Sequence, residues 1–284
     1  MSGIPASQGA LQSYVDKWLA VQPRQRVALA FVDPATYPGH VALAALEQEL
    51  LSAAYGIREP QVAMGKLNWW AEELSGAAAS GGRHPLTQAL FADDRARAVP
   101  AERWLAPVLA AMAQLEEGTA ADFPAQLAAA GALHGALAAL ETAWWFGVDA
   151  GAGRAARVAV LSHLLHALRR LQDDAARDRL PLPMARLARY GLSRGQLGQR
   201  SEARDAAIRA QLDDLRGAWR DAAALPGPLS VFRALESDAG EQLAKRAARA
   251  DDPLAVLQQG EPGAGFGVTW AAWRHARRWH RLAG

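Results

Sequence analysis

Apolar residues return at three- and four-residue steps along most of the chain, and no run alternates apolar with polar residues as a half-buried strand does. Such steps stack side chains on one face of a helix, so the pattern points to an all-α fold. Leu11, Tyr14, Val15, Trp18 and Leu19 form one stripe that stops before Pro23. A second periodic run covers 40–55 and ends at Gly56, and Pro60 opens a third that carries Ala63, Leu67, Trp70 and Leu74. Further helices are expected over 85–91, 100–117, 123–146 and 154–177, then through Leu225, Arg249 and the closing WAAWRHARRWHRL. Pro107 should bend its helix by removing an amide donor. The stretches DPATYPG, SGAAASGGR and LPLP read as connections.

No linker-like stretch divides the 284 residues, so one domain over 1–284, a single large bundle, is expected. Lys+Arg of 31 against Asp+Glu of 29 leaves a net charge of +2, which gives no electrostatic case for a nucleic-acid partner. Lys17, Lys66 and Lys245 are the only lysines, so arginine supplies most cations and suits bidentate carboxylate or phosphate partners. The absence of cysteine removes disulfide, thiolate-metal and thiol-nucleophile chemistry. The opening residues do not read as a secretory signal, and the Ala-rich run through Trp144 is interrupted by His134 and Glu141, so a cytoplasmic protein without a membrane span is expected. No phosphate-binding glycine loop or G-x-S-x-G motif is present.

Two segments carry a resemblance. ALAALEQELLSAAYGIREPQVAMGKLNWWAEELSG with HPLTQAL, and HALRRLQDDAARDRLPLPMARLARYGLS, resemble the squalene/phytoene synthase family. That resemblance implies the isoprenoid-synthase fold, a helical bundle around a central cavity. It also implies magnesium held by aspartates one turn apart on two facing helices. The chemistry requires this, because ionising a prenyl diphosphate leaves an anion that divalent cations must stabilise, and hard cations take oxygen ligands.

At the first such position this sequence has Leu51 and Tyr55 where paired aspartates are expected, and Gln48 where a basic residue is usual. Glu47 and Glu49 diverge around the helix, and a solvent-facing role is preferred for both. In the second motif Arg169, Asp174, Arg179 and the step Leu182-Pro183 match, while His166 replaces an Asn, Arg170 the leading Asp, and Pro181 the aromatic. Arg170 reverses the sign of a metal ligand and is spaced to pair with Asp174. The combination is similar to a non-catalytic branch of the family that includes a mitochondrial factor for assembly of respiratory complex I.

Arg169, Asp173, Asp174 and Arg179 are therefore the candidate ligand-binding residues, with no catalytic or metal-binding residue assigned. Arg169, Arg170, Arg177 and Arg179 suit a phosphate, although an ion-paired helix end is preferred. Of Trp69 and Trp70 at most one faces an isoprenoid cavity, and core packing is its preferred role; Lys66 is read as solvated or snorkelling. His163 and His166 lack a converging third ligand for zinc. Asp213 and Asp214 are neighbours rather than a one-turn pair. The basic, aromatic C-terminal helix is compatible with an anionic membrane, but the preferred reading docks Trp270, Trp273 and Trp279 on the bundle with the arginines in water.

The expected function is binding of an isoprenoid or other apolar ligand, or assembly of a protein partner, with magnesium-dependent ionisation lost. The alternative is an active prenyltransferase that uses magnesium with Asp173, Asp174 and carboxylates from elsewhere.

Overall fold

The computed structural model describes residues 6–175, 180–259 and 264–283, and among them no strand occurs. The order is α1 (Ala6–Val21), α2 (Gln25–Ala28), α3 (Pro38–Leu51), a π-helical turn (Ser52–Gly56), α4 (Pro60–Ser80), α5 (Pro85–Phe91), α6 (Arg95–Ala98) and α7 (Ala101–Gln114). Then follow α8 (Phe123–Phe146), α9 (Gly153–Arg169), α10 (Leu171–Ala175), α11 (Met184–Arg189), a 3₁₀ turn (Arg194–Gln196), α12 (Glu202–Ala224), α13 (Val231–Ala248), α14 (Pro253–Gln259) and α15 (Phe266–Ala283). The helices expected over 85–91 and 123–146 have those bounds. The helix expected over 154–177 breaks at Arg170, whose φ of −96° and ψ of 15° separate α9 from α10. α7 runs through Pro107 as one element.

α8 and α9 pack along each other at the centre, with α7 and then α4 on one side and α12 and α13 on the other. By length and composition α8 qualifies to cross a membrane, which corrects the expectation that no stretch approaches a span. Here it is a core helix with buried polar contacts from His134 and Glu141. One apolar cluster gathers α1, α3, α4, α5, α7 and the end of α8; a second gathers α9, α12, α13 and α14. Trp279 ties α15 to the first cluster through edge contacts with Tyr37 at 5.0 Å and Trp145 at 4.7 Å. Each buried aromatic removes on the order of 150–250 Å² from water, which makes such clusters the main apolar contribution to helix docking.

Of the two adjacent tryptophans on α4, Trp70 is buried and Trp69 is 38% exposed. Consecutive helical positions point about 100° apart, so the split is what the sequence predicts. The expectation for α15 needs correcting: Trp279 docks, but Trp270 is 52% exposed and Trp273 only half-buried, while Arg274, Arg277, Arg278 and Arg281 do face water.

The turn between α4 and α5 is organised by one carboxylate. Glu73, buried on α4, accepts hydrogen bonds from the backbone amides of Arg83 at 2.6 Å and His84 at 2.8 Å and from the Thr87 hydroxyl at 2.6 Å. Gly82 sits at φ +79°, and a Cβ there would lie 2.3 Å from Thr87 Oγ1, so only glycine fits. Burial alone would raise the Glu73 pKa; the bonds from Thr87, His84 and Arg83 outweigh it and hold the carboxyl at about 2 instead of 4.5. Glu73 should thus stabilise the fold fully above pH 4.5 and lose that contribution as pH falls toward 2. Glu73→Ala is expected to cost about 3 kcal/mol at neutral pH, read by urea denaturation, and to flatten the acid limb of the stability curve.

Candidate functional site at the seam of α3, α8, α9 and α13

Glu47, Leu51 and Tyr55 follow one another at four-residue steps down α3 and into the π-helical turn. π-turns recur at functional positions because they re-aim a side chain. Tyr55 stacks on His163 of α9 with ring centroids 4.6 Å apart, and on His134 of α8 at 5.9 Å. His134 and His163 are themselves 4.1 Å apart. The Tyr55 hydroxyl donates to Gln114 Oε1 at 3.2 Å and lies 3.3 Å from His134 Nε2. The π-turn after α3 and helix α9, which carry the two motifs, therefore meet through the Tyr55 phenol and the His163 imidazole, with His134 of α8 beside them.

Burial dominates the protonation of these rings. It lowers His134 well below the ordinary value of 6.5, with His163 and Arg233 adding to the effect. His163 is lowered to about 3, first by burial and then by His166 and Arg170; His166 falls to about 4 through burial, Arg169 and Arg170. All three are neutral at physiological pH, so each ring offers one donor and one acceptor.

A charged group lies beside them. Arg233 of α13 donates through Nη2 to both Glu47 oxygens, at 3.0 and 2.9 Å, and through Nε to Glu141 Oε2 at 2.6 Å. Ser230, at the start of α13, donates to the other Glu141 oxygen at 2.6 Å. Glu47 is therefore an inward ion-pair partner, which corrects the solvent-facing role expected for it. Glu49 is corrected likewise, since Lys66 holds it at 2.7 Å with only 12% of its side chain exposed. Burial raises the Glu47 pKa against the pull of Arg233, and the Arg233 pKa rises beside its carboxylates despite its own burial. Glu236, one turn along α13, is lifted to about 7 by burial, with Arg233 opposing and Glu47 and Glu141 reinforcing.

In the second motif Arg170 Nη2 meets Asp174 Oδ1 at 2.7 Å, the pairing that their spacing anticipates. Asp174 is buried, Asp173 is exposed and Arg169 is half-buried. Arg179, and Arg177 with it, lies outside the described residues. Leu182 is buried, and the carbonyl of Pro181 accepts from Gln126 of α8 at 2.8 Å, anchoring the Leu-Pro step. Asp213 and Asp214 pair with Arg216 and Arg186.

The sequence profile of squalene/phytoene synthase matches residues 25–264. The chain belongs to the squalene/phytoene synthase family. Its fold is similar to that of squalene synthase HpnC from Alicyclobacillus acidocaldarius, with a TM-score of 0.60 and 16% identity over 98% of this chain and 97% of that one. It is also similar to a dehydrosqualene synthase crystallised in complex with a ligand, with a TM-score of 0.69 and 9% identity over 97% and 96% of the two chains. None of the curated proteins matches it in sequence.

The residues present at the family's two magnesium positions do not suit the ion. Leu51 has no donor atom, Tyr55 is held by Gln114 and the histidines, and Asp174 already neutralises Arg170. Among the described residues no group of three or more His, Asp or Glu converges as a metal site would. Sequence reasoning missed Arg233, Glu141 and Glu236. A signal existed in α8, where His134 and Glu141 stand two turns apart on an otherwise apolar helix.

Replacing Arg233 by Met is expected to destabilise the fold by about 3–5 kcal/mol in equilibrium denaturation, because Glu47 and Glu141 would be left buried without a counterion. Glu236 gives a slope of its own. Its proton is retained in the folded state and lost from the unfolded chain between pH 4.5 and about 7, so its contribution to stability falls as pH rises through that window. Glu236→Gln should remove this component from the dependence of the denaturation midpoint on pH.

Proposed function

We propose that this member of the squalene/phytoene synthase family no longer ionises prenyl diphosphates efficiently with magnesium, and that it binds an isoprenoid or similarly apolar molecule or supports assembly of a protein partner. The observation that carries this reading is the occupant of the first magnesium position: Tyr55, stacked on His163 and hydrogen-bonded to Gln114. The Arg170–Asp174 pair supports it from the second position. A diphosphate leaving group needs concentrated positive charge from divalent ions, and those ions need several convergent carboxylates. Here Glu47 and Glu141 are committed to Arg233, and Asp174 to Arg170. The dehydrosqualene synthase of similar fold was crystallised with a ligand, which supports a binding role for this fold.

The test is incubation of the purified protein with farnesyl or geranylgeranyl diphosphate and magnesium, with released diphosphate measured against time. No release above the protein-free control is expected, together with a Kd for farnesyl diphosphate that magnesium leaves unchanged. Sustained release that Asp174→Ala abolishes would establish the active prenyltransferase instead.

A further inference from the structure

Helix α15 presents two different chemistries to solvent. Phe266, Trp270, Trp273 and Arg277 follow at helical spacing on a line turned about 120° from the docked Ala272, Ala276 and Trp279. Phe266 is 87% exposed and Trp270 is 52% exposed, and Trp270 and Trp273 lean together with ring centroids 4.6 Å apart. The second half of the helix is cationic on that line and beside it: Arg274, Arg277, Arg278 and Arg281 all reach solvent, and the helix contains no carboxylate. Arg277 lies over the Trp273 ring at 5.0 Å, bridging the two halves. Among the described residues Asp238 of α13 pairs with this helix, taking Arg274 at 3.1 Å and His275 at 2.8 Å.

We infer that α15 is a membrane-surface helix that seats Phe266, Trp270 and Trp273 among lipid headgroups and acyl chains while its arginines engage anionic phosphates. Tryptophan and phenylalanine beside arginine suit the headgroup boundary, where an apolar ring and a cation are satisfied together. A second copy of the chain fits less well. Three aromatic side chains at about 150–250 Å² each, already partly covered, fall short of the roughly 800 Å² per partner in a stable protein interface. Four arginines facing their own copies would also repel. The chain as a whole carries only +2, so this helix concentrates charge that the rest of the molecule offsets. Phe266 and Trp270 take no part in the contacts at the seam, so vesicle binding and diphosphate release report on different parts of the protein.

The experiment is flotation of the full chain with phosphatidylcholine vesicles and with vesicles containing phosphatidylglycerol. Binding is expected to the anionic vesicles, weakening about tenfold when salt rises from about 0.1 M to about 0.5 M. The double variant F266S/W270S should lower partitioning about tenfold or more, and R277E/R281E should remove the preference for anionic lipid. Both alter exposed positions and should keep the wild-type helical circular dichroism and melting temperature. Absence of vesicle binding by the wild type, or binding unaltered in both variants, would overturn the inference. A wild-type dimer that F266S/W270S converts to monomer, with no vesicle binding by either, would overturn it in favour of self-association.

Discussion

A single buried guanidinium holds the middle of this molecule together. Arg233 reaches Glu47 across 186 residues of sequence and Glu141 across 92, so α3, α8 and α13 meet on one planar cation. Burying three ions costs several kcal/mol each, and the arrangement is sustained because each is held at hydrogen-bond distance, with Ser230 taking the remaining Glu141 oxygen. Such a bridge contributes less to net stability than to specificity, since the helices cannot shift without exposing an unmatched charge. It also engages both carboxylates, so neither can turn toward another cation without giving up its bond to Arg233.

The rest of the seam follows the same logic with neutral groups. His134 and His163 are too buried to hold a proton at physiological pH, so their rings stack with Tyr55 instead of adding positive charge. Arg170 pairs with Asp174, so that positive charge too is locally cancelled. Glu236 stands apart, lifted to about 7 by its surroundings. The described seam thus combines neutral rings, the ion pairs of Arg233 and Arg170, and one carboxyl lifted by burial.

Much of the fold is legible in the sequence because helices are local. Pro85 and the gap before Phe123 mark helix starts, and the stripe from Leu11 to Leu19 marks a buried face, without reference to distant residues. The pairing of Arg170 with Asp174 is legible for the same reason, being set by one helical turn. The inward role of Glu47 is not legible, because its partner lies on α13 and nothing in the α3 sequence announces Arg233. Continuous periodicity hides the break at Arg170, and the spacing of Trp270 predicts docking because a periodic aromatic reads alike whether or not a neighbour covers it. Of the four candidate binding residues, Asp174 is buried in an ion pair, Asp173 faces solvent, Arg169 is half-buried and Arg179 lies outside the described residues.

Family membership and the proposed loss of magnesium chemistry are reconciled if the helical shell persisted while Tyr55, Leu51 and Arg170 came to stand where the resemblance implies carboxylates. The most direct measurement is a crystal structure of the protein soaked with manganese and a farnesyl thiodiphosphate, read by anomalous scattering. The account predicts no ordered metal between the π-turn after α3 and the end of α9, with Tyr55 still stacked on His163. Manganese ions bridging those two helices to the diphosphate, with Tyr55 displaced, would contradict it.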